Sequence, residues 1–423
     1  MLPTSPPAGA DAIEAFLVDE LPSAAPPPRG AEGLARARRF FARLGSPQDA
    51  CLQVHVVGTA GKGTAVAAIT SRLCGAGLSV GAHLSPHVYD IRERMLLDGQ
   101  LPTWEQLGDA LAEAWPVMVE VKHELGHPPS FFETTIALSW LIGRAGGVDV
   151  HVTEAGIGGA LDPTNSIGRS DTIVVVMPIG WDHVDVLGPG LTEIAQNKAA
   201  VIVAGSDVVV APQPSAEAAA VVAGVAAERA ARVHAVDGAG PGAWLATAER
   251  VADVVADLVE QRLGRSLPAG RAPVVLPGRL ERLDAAGRQW ILDGAHNPLK
   301  LRALAAALAG LDGPDPAFVV AGLSREKALD DCAAELAAMG NRFVTTEFAV
   351  LAGDRVLRSS WPAGELADAI SRHRPDAEIV AAGNVEAAVH QAVCHTEPGD
   401  TIVATGSFLL LDDIRQAAVA LDH

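Results

Sequence analysis

Apolar residues along the chain gather into short runs rich in valine and isoleucine, separated by longer alanine-rich stretches. "LQVHVVG" begins at 52, "VDVHVTEAG" at 148, "DTIVVVMPIG" at 171, "DVVVAP" at 207 and "ARVHAVD" at 231. A strand with one face in water alternates polar and apolar residues. Near-continuous apolar runs call for cover on both faces, as in a parallel sheet whose crossovers are helices. The pattern predicts an α/β fold with a mostly parallel, doubly wound sheet. Residues 264–278, "GRSLPAGRAPVVLPG", crowd proline and glycine and break the rhythm, which marks a linker. A second alternation follows, with "QWILDGAHN" at 289, "AFVVAGL" at 317, "RFVTTEF" at 342, "AEIVAAG" at 377 and "DTIVATGS" at 400. The expected division is a first domain over 1–278, ending in the linker 264–278, and a second α/β domain over 279–423. The stretch "PSAEAAAVVAGVAAERAARV" at 214 reads as an ordinary surface helix, and no repeat of solenoid period is present.

Charge narrows the choice of partner. The 423 residues carry 51 acidic and 32 basic side chains, a net of −19, so the whole-molecule field repels nucleic acid and anionic membrane surfaces. An anionic substrate must then be met by local lysines, arginines, backbone amides or metal ions. Cys51, Cys74, Cys332 and Cys394 lie far apart without C-x-x-C spacing, the usage of a reducing compartment, and are expected to be reduced and buried. The first thirty residues hold seven prolines and lack the basic-then-apolar order of a signal peptide. No run approaches the roughly 18 apolar residues of a membrane helix. A soluble cytoplasmic protein is expected, with neither nucleic acid nor membrane as partner.

Candidate chemistry clusters at predicted strand ends. In "VVGTAGKGTAVAAI", from 56, a strand over 54–57 and a helix starting near Thr64 leave the loop G-T-A-G-K-G-T at the strand's carboxyl end. Converging backbone amides from Gly58, Thr59, Gly61, Gly63 and Thr64, with Lys62 among them, suit a phosphate. The loop is shorter than G-x-x-x-x-G-K-[ST], and Gly63 separates the lysine from the hydroxyl residue, which argues against a simple P-loop kinase. Glu154 ends another apolar run, where a Mg²⁺ ligand belongs. Asp162 and Asn165 read as turn formers. His183 follows a third run, and Lys198 sits on a helix fifteen residues later. In "SPHVYDIRERM", Ser85 offers a metal a hydroxyl, while Arg92 and Arg94 are candidates to receive carboxylates. Arg279, just past the linker, is placed to swing against a nucleotide on the first domain, and Asp293, His296 and Asn297 cluster at another strand end.

Taken in order, "ARARRFFARLGSPQ", "GTAGKGT", "SPH…RERM…DG", "FFETTIAL", "EAGIGGALDPTN", "WDHVDVLG…IAQNKA", "PGRLE", "LDGAHNP" and "VATGSFLLLDDIR" resemble the folylpolyglutamate synthase / dihydrofolate synthase family of the Mur ligase superfamily. The resemblance implies an N-terminal P-loop ATPase domain and a C-terminal Rossmann-like domain that contributes to the amino-acid site. Residue by residue it implies that Gly61, Lys62, Gly63 and Thr64 seat ATP, that Ser85, Glu154 and His183 hold Mg²⁺, and that Lys198 is a carbamylated lysine supporting a second ion. Arg279 and Asp293 match ATP contacts, and His296 belongs to the same signature. Departures from the family pattern are Ala60 for an asparagine, Thr64 for a serine, Ala160 for an arginine, no asparagine over 245–255, and "LSREKALD" for a more acidic stretch.

The implied reaction moves the γ-phosphoryl of ATP onto a substrate carboxylate. L-Glutamate attacks the resulting acyl phosphate through its amino group, releasing phosphate and leaving an amide, with His296 a candidate to help remove the amine proton. Activation is needed because a carboxylate's own leaving group is oxide; positioning and charge neutralisation by Lys62 and two Mg²⁺ ions supply the catalysis. Expected substrates are a pteroate or folate and L-glutamate, handled by a monomer. Two other readings stay open: a ligase of the same superfamily joining a different acid and amino acid, and a nucleotide-binding homologue without catalysis.

Overall fold

The computed structural model describes residues 3, 5–23, 30–238, 244–310, 316–352 and 355–422, the side chains of 350–357 excepted. The chain forms two compact units, Met1–Ala239 with Leu245–Val275 and Gly240–Trp244 with Leu276–His423.

In the first unit the apolar runs become strands β1 (Leu52–Val57), β2 (Val80–His83), β3 (Met95–Leu97), β4 (Val150–Glu154), β5 (Ile173–Val176), β6 (Asp207–Val210) and β7 (Arg232–Ala235). They form one sheet in the order β3-β2-β4-β1-β5-β6-β7. All neighbours are parallel except β2 and β3, an antiparallel edge pair. β1 lies between β4 (Val56 opposite Glu154) and β5 (Val56 opposite Val175). Its place among the four central strands explains its composition: every residue of β1, β2, β4 and β5 is buried.

Helix Phe131–Gly146 packs on β2 and β3, and helices Ala31–Arg43 and Trp104–Leu125 pack with it; their Phe40, Phe41, Trp115 and Trp140 fill a core of their own. Helices Trp104–Leu125 and Phe131–Gly146 begin in capping boxes, Thr103 with Gln106 and Ser130 with Glu133. Glu133 also takes a two-pronged bond from Arg36 at 3.0 and 2.6 Å, both side chains buried. A second core joins β5 and β6 to Ile194, Val222 and Ala226 on helices Leu191–Ala199 and Ala216–Glu228.

Two expectations need correction. β7 is not covered on both faces: it is an edge strand and mostly exposed, and its Arg232 and His234 pair with Asp207 of β6 at 2.8 and 2.9 Å. Nor are all four cysteines buried. Cys332 is buried, Cys51 and Cys74 are half-buried and Cys394 is exposed; all four are free thiols.

Within 264–278 the chain forms neither helix nor strand and is packed on the first unit as far as Val275. Ala272 N donates to Ser71 O (2.9 Å) and Val275 N to Gly99 O (3.0 Å).

The second unit holds β8 (Glu281–Ala285), β9 (Arg288–Leu292), β10 (Phe318–Ala321), β11 (Arg342–Thr346), β14 (Glu378–Ala382) and β15 (Thr401–Thr405) in the order β14-β11-β10-β15-β9-β8. Only β8, which carries no apolar run, is antiparallel. β12 (Ala349–Ala352) and β13 (Arg355–Ser359) form a separate hairpin. The core is built from Leu301, Leu304, Val319, Leu336, Phe343, Leu366 and Ile370. Among the described residues no helix is long and apolar enough to cross a membrane.

Candidate active site

The chain leaves β1 towards β2 on one side of the sheet and leaves β5 towards β6 on the other, so the carboxyl ends of β1 and β5 flank a topological switch point, where open α/β sheets bind ligands. Gly58 sits there at φ +148, and a Cβ on it would lie 2.7 Å from Met177 Cβ, which leaves room for glycine alone. Thr59 N and Ala60 N both donate to Pro178 O, at 2.8 and 3.2 Å. The Thr59 hydroxyl donates to Gly180 O (3.0 Å) and accepts from Gly180 N (3.1 Å). Thr59 thus fastens the glycine loop to the segment after β5.

Gly61, at φ +76, is the N-cap of helix Lys62–Gly75, and no side chain caps that end. The helix starts two residues earlier than its sequence suggests, at Lys62 itself. Its first amides and the positive end of its dipole are thereby presented to an anion.

Glu154, the last residue of β4, is buried. Its Oε2 accepts Ser85 N at 3.1 Å, and its Oε1 lies 3.9 Å from Lys62 Nζ. The loop carrying Ser85 is shaped by Glu93, whose carboxylate accepts the amides of Val88, Tyr89 and Asp90 at 2.7, 3.0 and 2.9 Å.

The two loop arginines are already engaged. Arg92 forks onto Asp90 and stacks on Trp104 at 4.4 Å. Arg94 is buried, donates to His87 Nδ1 at 2.7 Å and lies over Phe131 at 4.8 Å. Burial pushes the Arg94 guanidinium down to about 10, against the pull of the Glu154 and Glu93 carboxylates. Burial and the Arg94 charge together hold His87 near 3, so its imidazole is neutral.

Asp162 and Asn165 do form turns: Asp162 accepts Ile157 N and Thr164 N at 2.9 Å, and Asn165 Nδ2 donates to Ala160 O at 2.9 Å. Lys198, 3% exposed on helix Leu191–Ala199, donates from Nζ to Gly58 O at 3.0 Å. His183 starts the four-residue helix Val184–Leu187 with φ +50, its ring 3.7 Å from Asp182 Oδ2.

The first unit therefore brings Gly58, Thr59, Lys62, Ser85, Glu154 and Lys198 into one linked set. Among the described residues no three His, Cys, Asp or Glu side chains gather as a metal cluster. Glu93 and Asn197, which build the loops on either side of Glu154, lie inside the quoted stretches "RERM" and "IAQNKA", but nothing in the sequence assigns either of them a role.

In the second unit Arg279, Asp293 and His296 come close together. Asp293 is pushed up by burial and accepts the amides of Leu280 and Ala295, each at 2.9 Å. Arg279 donates to Pro277 O (3.2 Å) and lies over the Phe408 ring at 4.8 Å. His296 Nδ1 is 2.6 Å from Gly294 O, and its Nε2 is 3.0 Å from Lys300 Nζ. An ammonium only donates, so Nε2 accepts and Nδ1–H donates to the carbonyl. Asn297 caps helix Pro298–Ala309 through Lys300 N at 2.9 Å.

The fold agrees with the comparisons. Residues 278–408 match the family model described as "Mur ligase, glutamate ligase domain", which places that unit among the Mur ligases. The folylpolyglutamate synthase of Lacticaseibacillus casei is 31% identical over 319 residues, covering 67% of this chain and 74% of that protein. The chain belongs to the folylpolyglutamate synthase / dihydrofolate synthase family.

A probable bifunctional folylpolyglutamate synthase/dihydropteroate synthase of Halobacterium salinarum is 31% identical over 408 residues, 89% of this chain and 48% of that protein. The chain spans less than half the length of several such curated relatives. Among solved structures, Mycobacterium tuberculosis folylpolyglutamate synthase complexed with ADP superposes with a TM-score of 0.78 at 25% identity, covering 92% of this chain and 95% of that one.

Proposed function

We propose that the chain is an ATP-dependent carboxylate–amine ligase that adds L-glutamate to a pterin-linked carboxylate, dihydropteroate, a folate or both, through an acyl phosphate. The observation that carries this is the uncapped helix start at Lys62 beside a buried strand-end carboxylate, with Lys62 Nζ 3.9 Å from Glu154 Oε1. The ADP complex of the M. tuberculosis relative supports reading the loop as a nucleotide site. On this reading residues 1–278 are the ATP-binding domain with 264–278 as linker, 279–423 is the glutamate ligase domain, and the enzyme works as a cytoplasmic monomer.

The amides of Gly61, Gly63 and Thr64 and the Lys62 ammonium grip the β- and γ-phosphates, while Gly58 and Thr59 hold the loop in shape. The donor set suits Mg²⁺: Glu154 and Ser85 offer hard oxygens, and the 3.9 Å to Lys62 exceeds a hydrogen bond, which leaves Oε1 free to coordinate. Ser85, Glu154 and His183 would hold one ion, and Lys198, as its carbamate, a second. Bound Mg²⁺ neutralises charge where carboxylate and triphosphate meet. Lys62 orients the γ-phosphoryl towards the substrate carboxylate, whose oxygen attacks phosphorus as ADP departs. His296 Nε2, the unprotonated nitrogen, takes the proton of the attacking amine once Lys300 releases it. Arg279 and Asp293 serve as nucleotide contacts.

Phosphate release with Mg-ATP, L-glutamate and a panel of acids tests this. Release is expected with dihydropteroate or a reduced folate and not without glutamate. Release only with an unrelated acid would shift the assignment to another ligase of the superfamily, the reading that Ala60 and Ala160 permit. None with any acid would leave a nucleotide-binding homologue.

A further inference from the structure

Helix Leu191–Ala199 reaches both glycine-rich loops through two consecutive residues. Lys198 Nζ donates to Gly58 O at 3.0 Å, at the loop after β1. Asn197 faces the loop after β4: its Oδ1 accepts Gly159 N at 3.0 Å and Ala160 N at 3.3 Å, and its backbone carbonyl accepts Ala160 N at 2.8 Å. Successive helical side chains point about 100° apart, so one stretch of helix serves two neighbouring strand ends.

The fit on the Asn197 side is tight. Gly158 takes φ +74, and a Cβ there would run into Asn197 Oδ1; a Cβ on Gly159 would lie 2.8 Å from Asn197 O and 2.9 Å from Lys198 O. Loop and helix meet backbone to backbone, and a single side-chain oxygen sets their register. Gly159 N has Asn197 Oδ1 as its acceptor, so loss of that oxygen leaves a part-buried amide without it.

We propose that Asn197 is a positioning residue for the phosphate and metal site: it buckles the loop that follows Glu154 onto the helix that carries Lys198. Glu154, Gly58 and Lys198 then keep one mutual geometry, because the segments bearing them are fastened at adjacent helix positions. The kinetic consequence rests on the ligase reading above; the mechanical one does not.

The test compares Asn197→Ala, Asn197→Ser and Asn197→Asp in the full-length protein, by hydrogen–deuterium exchange over 157–162 and by the Mg²⁺ dependence of ATP turnover. Alanine removes the acceptor, serine is too short to span the gap, and aspartate keeps an acceptor in place. For alanine and serine, exchange over 157–162 should accelerate about tenfold or more. The Mg²⁺ concentration for half-maximal turnover should rise about tenfold to a hundredfold, with a smaller fall in kcat at saturating metal. Aspartate should restore both towards wild type.

Unchanged exchange in Asn197→Ala and Asn197→Ser overturns the buckle. Faster exchange with an unchanged metal requirement overturns its role in the site, and so does an aspartate variant that behaves like alanine. If Asn197→Ala does not fold, the serine and aspartate pair decides. A wild-type chain inactive on every acid defeats the ligase reading, while the exchange measurements still decide whether Asn197 holds the loop.

Discussion

Gly58 and Lys198 form one contact in which backbone shape and charge depend on each other. With φ at +148 and Met177 Cβ 2.7 Å from any added Cβ, Gly58→Ala must move either the loop or the strand behind it. Strain of this kind costs about 1–3 kcal/mol, so a lower melting temperature is expected together with loss of nucleotide binding by calorimetry. A variant that melts and binds like wild type would show that the loop tolerates a side chain. Lys198→Met keeps much of the bulk but takes the donor from Gly58 O and any possibility of a carbamate. It should abolish ATP turnover while costing about 1–3 kcal/mol for the abandoned buried acceptor, read from urea unfolding. Retained turnover would remove Lys198 from the metal site.

At the scale of elements, three neighbouring strands carry buried imidazoles: His55 on β1, His83 on β2 and His151 on β4. Thr164 gives its hydroxyl proton to Asp162 Oδ1 (2.5 Å), so at 2.9 Å it accepts from His55 Nε2–H. Burial pushes His55 down to about 4 and His83 and His151 to about 3. Below about 6.5, the unperturbed histidine value, the unfolded chain takes up protons that the folded chain refuses. Stability is therefore full above that pH and falls as pH drops towards 4, by about 1.4 kcal/mol per pH unit for each histidine. The urea midpoint should decline over this window and decline less in His55→Asn; equal slopes would discount His55. Another element-scale contact is the buried Arg36–Glu133 pair joining helices Ala31–Arg43 and Phe131–Gly146. Glu133→Gln should cost about 3–5 kcal/mol in urea unfolding, since it leaves the guanidinium buried without its counter-charge. Elements announced by an unbroken apolar run were legible: β1, β4, β5, β10, β11 and β15 take their identity from burial on both faces, whereas β14, at the sheet edge, is mostly outside the core. β3 and β8 were not legible: "MLL" is only three residues long and "ERLDA" is largely polar, so neither antiparallel edge strand carries a run long enough to read. Of the candidate site, Gly58, Lys62 and Glu154 were legible because a phosphate loop and a metal ligand are expected at strand ends, and Lys198, on a helix, only through the family resemblance. Asn197 was invisible, since an asparagine that accepts two backbone amides looks in sequence like any polar helix residue.

For the molecule as a whole, the two units differ in what they can report. Each has its own sheet and its own buried core, so each meets the first requirement for cooperative unfolding by itself. The glycine loop lies wholly in the first unit, between β1 and helix Lys62–Gly75. A ligand that binds only the folded state adds stability by mass action, about 2.7 kcal/mol at a hundred times its dissociation constant. Against a net charge of −19, that binding must come from local groups, the helix start and Lys62 above all. Scanning calorimetry of the full chain should therefore show the first unit's transition, identified by hydrogen exchange across β1, moving up in Mg-nucleotide. In Lys62→Ala, with its helix start intact but the ammonium gone, most of that shift should disappear. If wild type shows no shift at saturating Mg-nucleotide while its sheet remains protected from exchange, the glycine loop is not a nucleotide site. If Lys62→Ala shows the full shift, the affinity resides in the backbone amides and the lysine belongs to the chemistry alone.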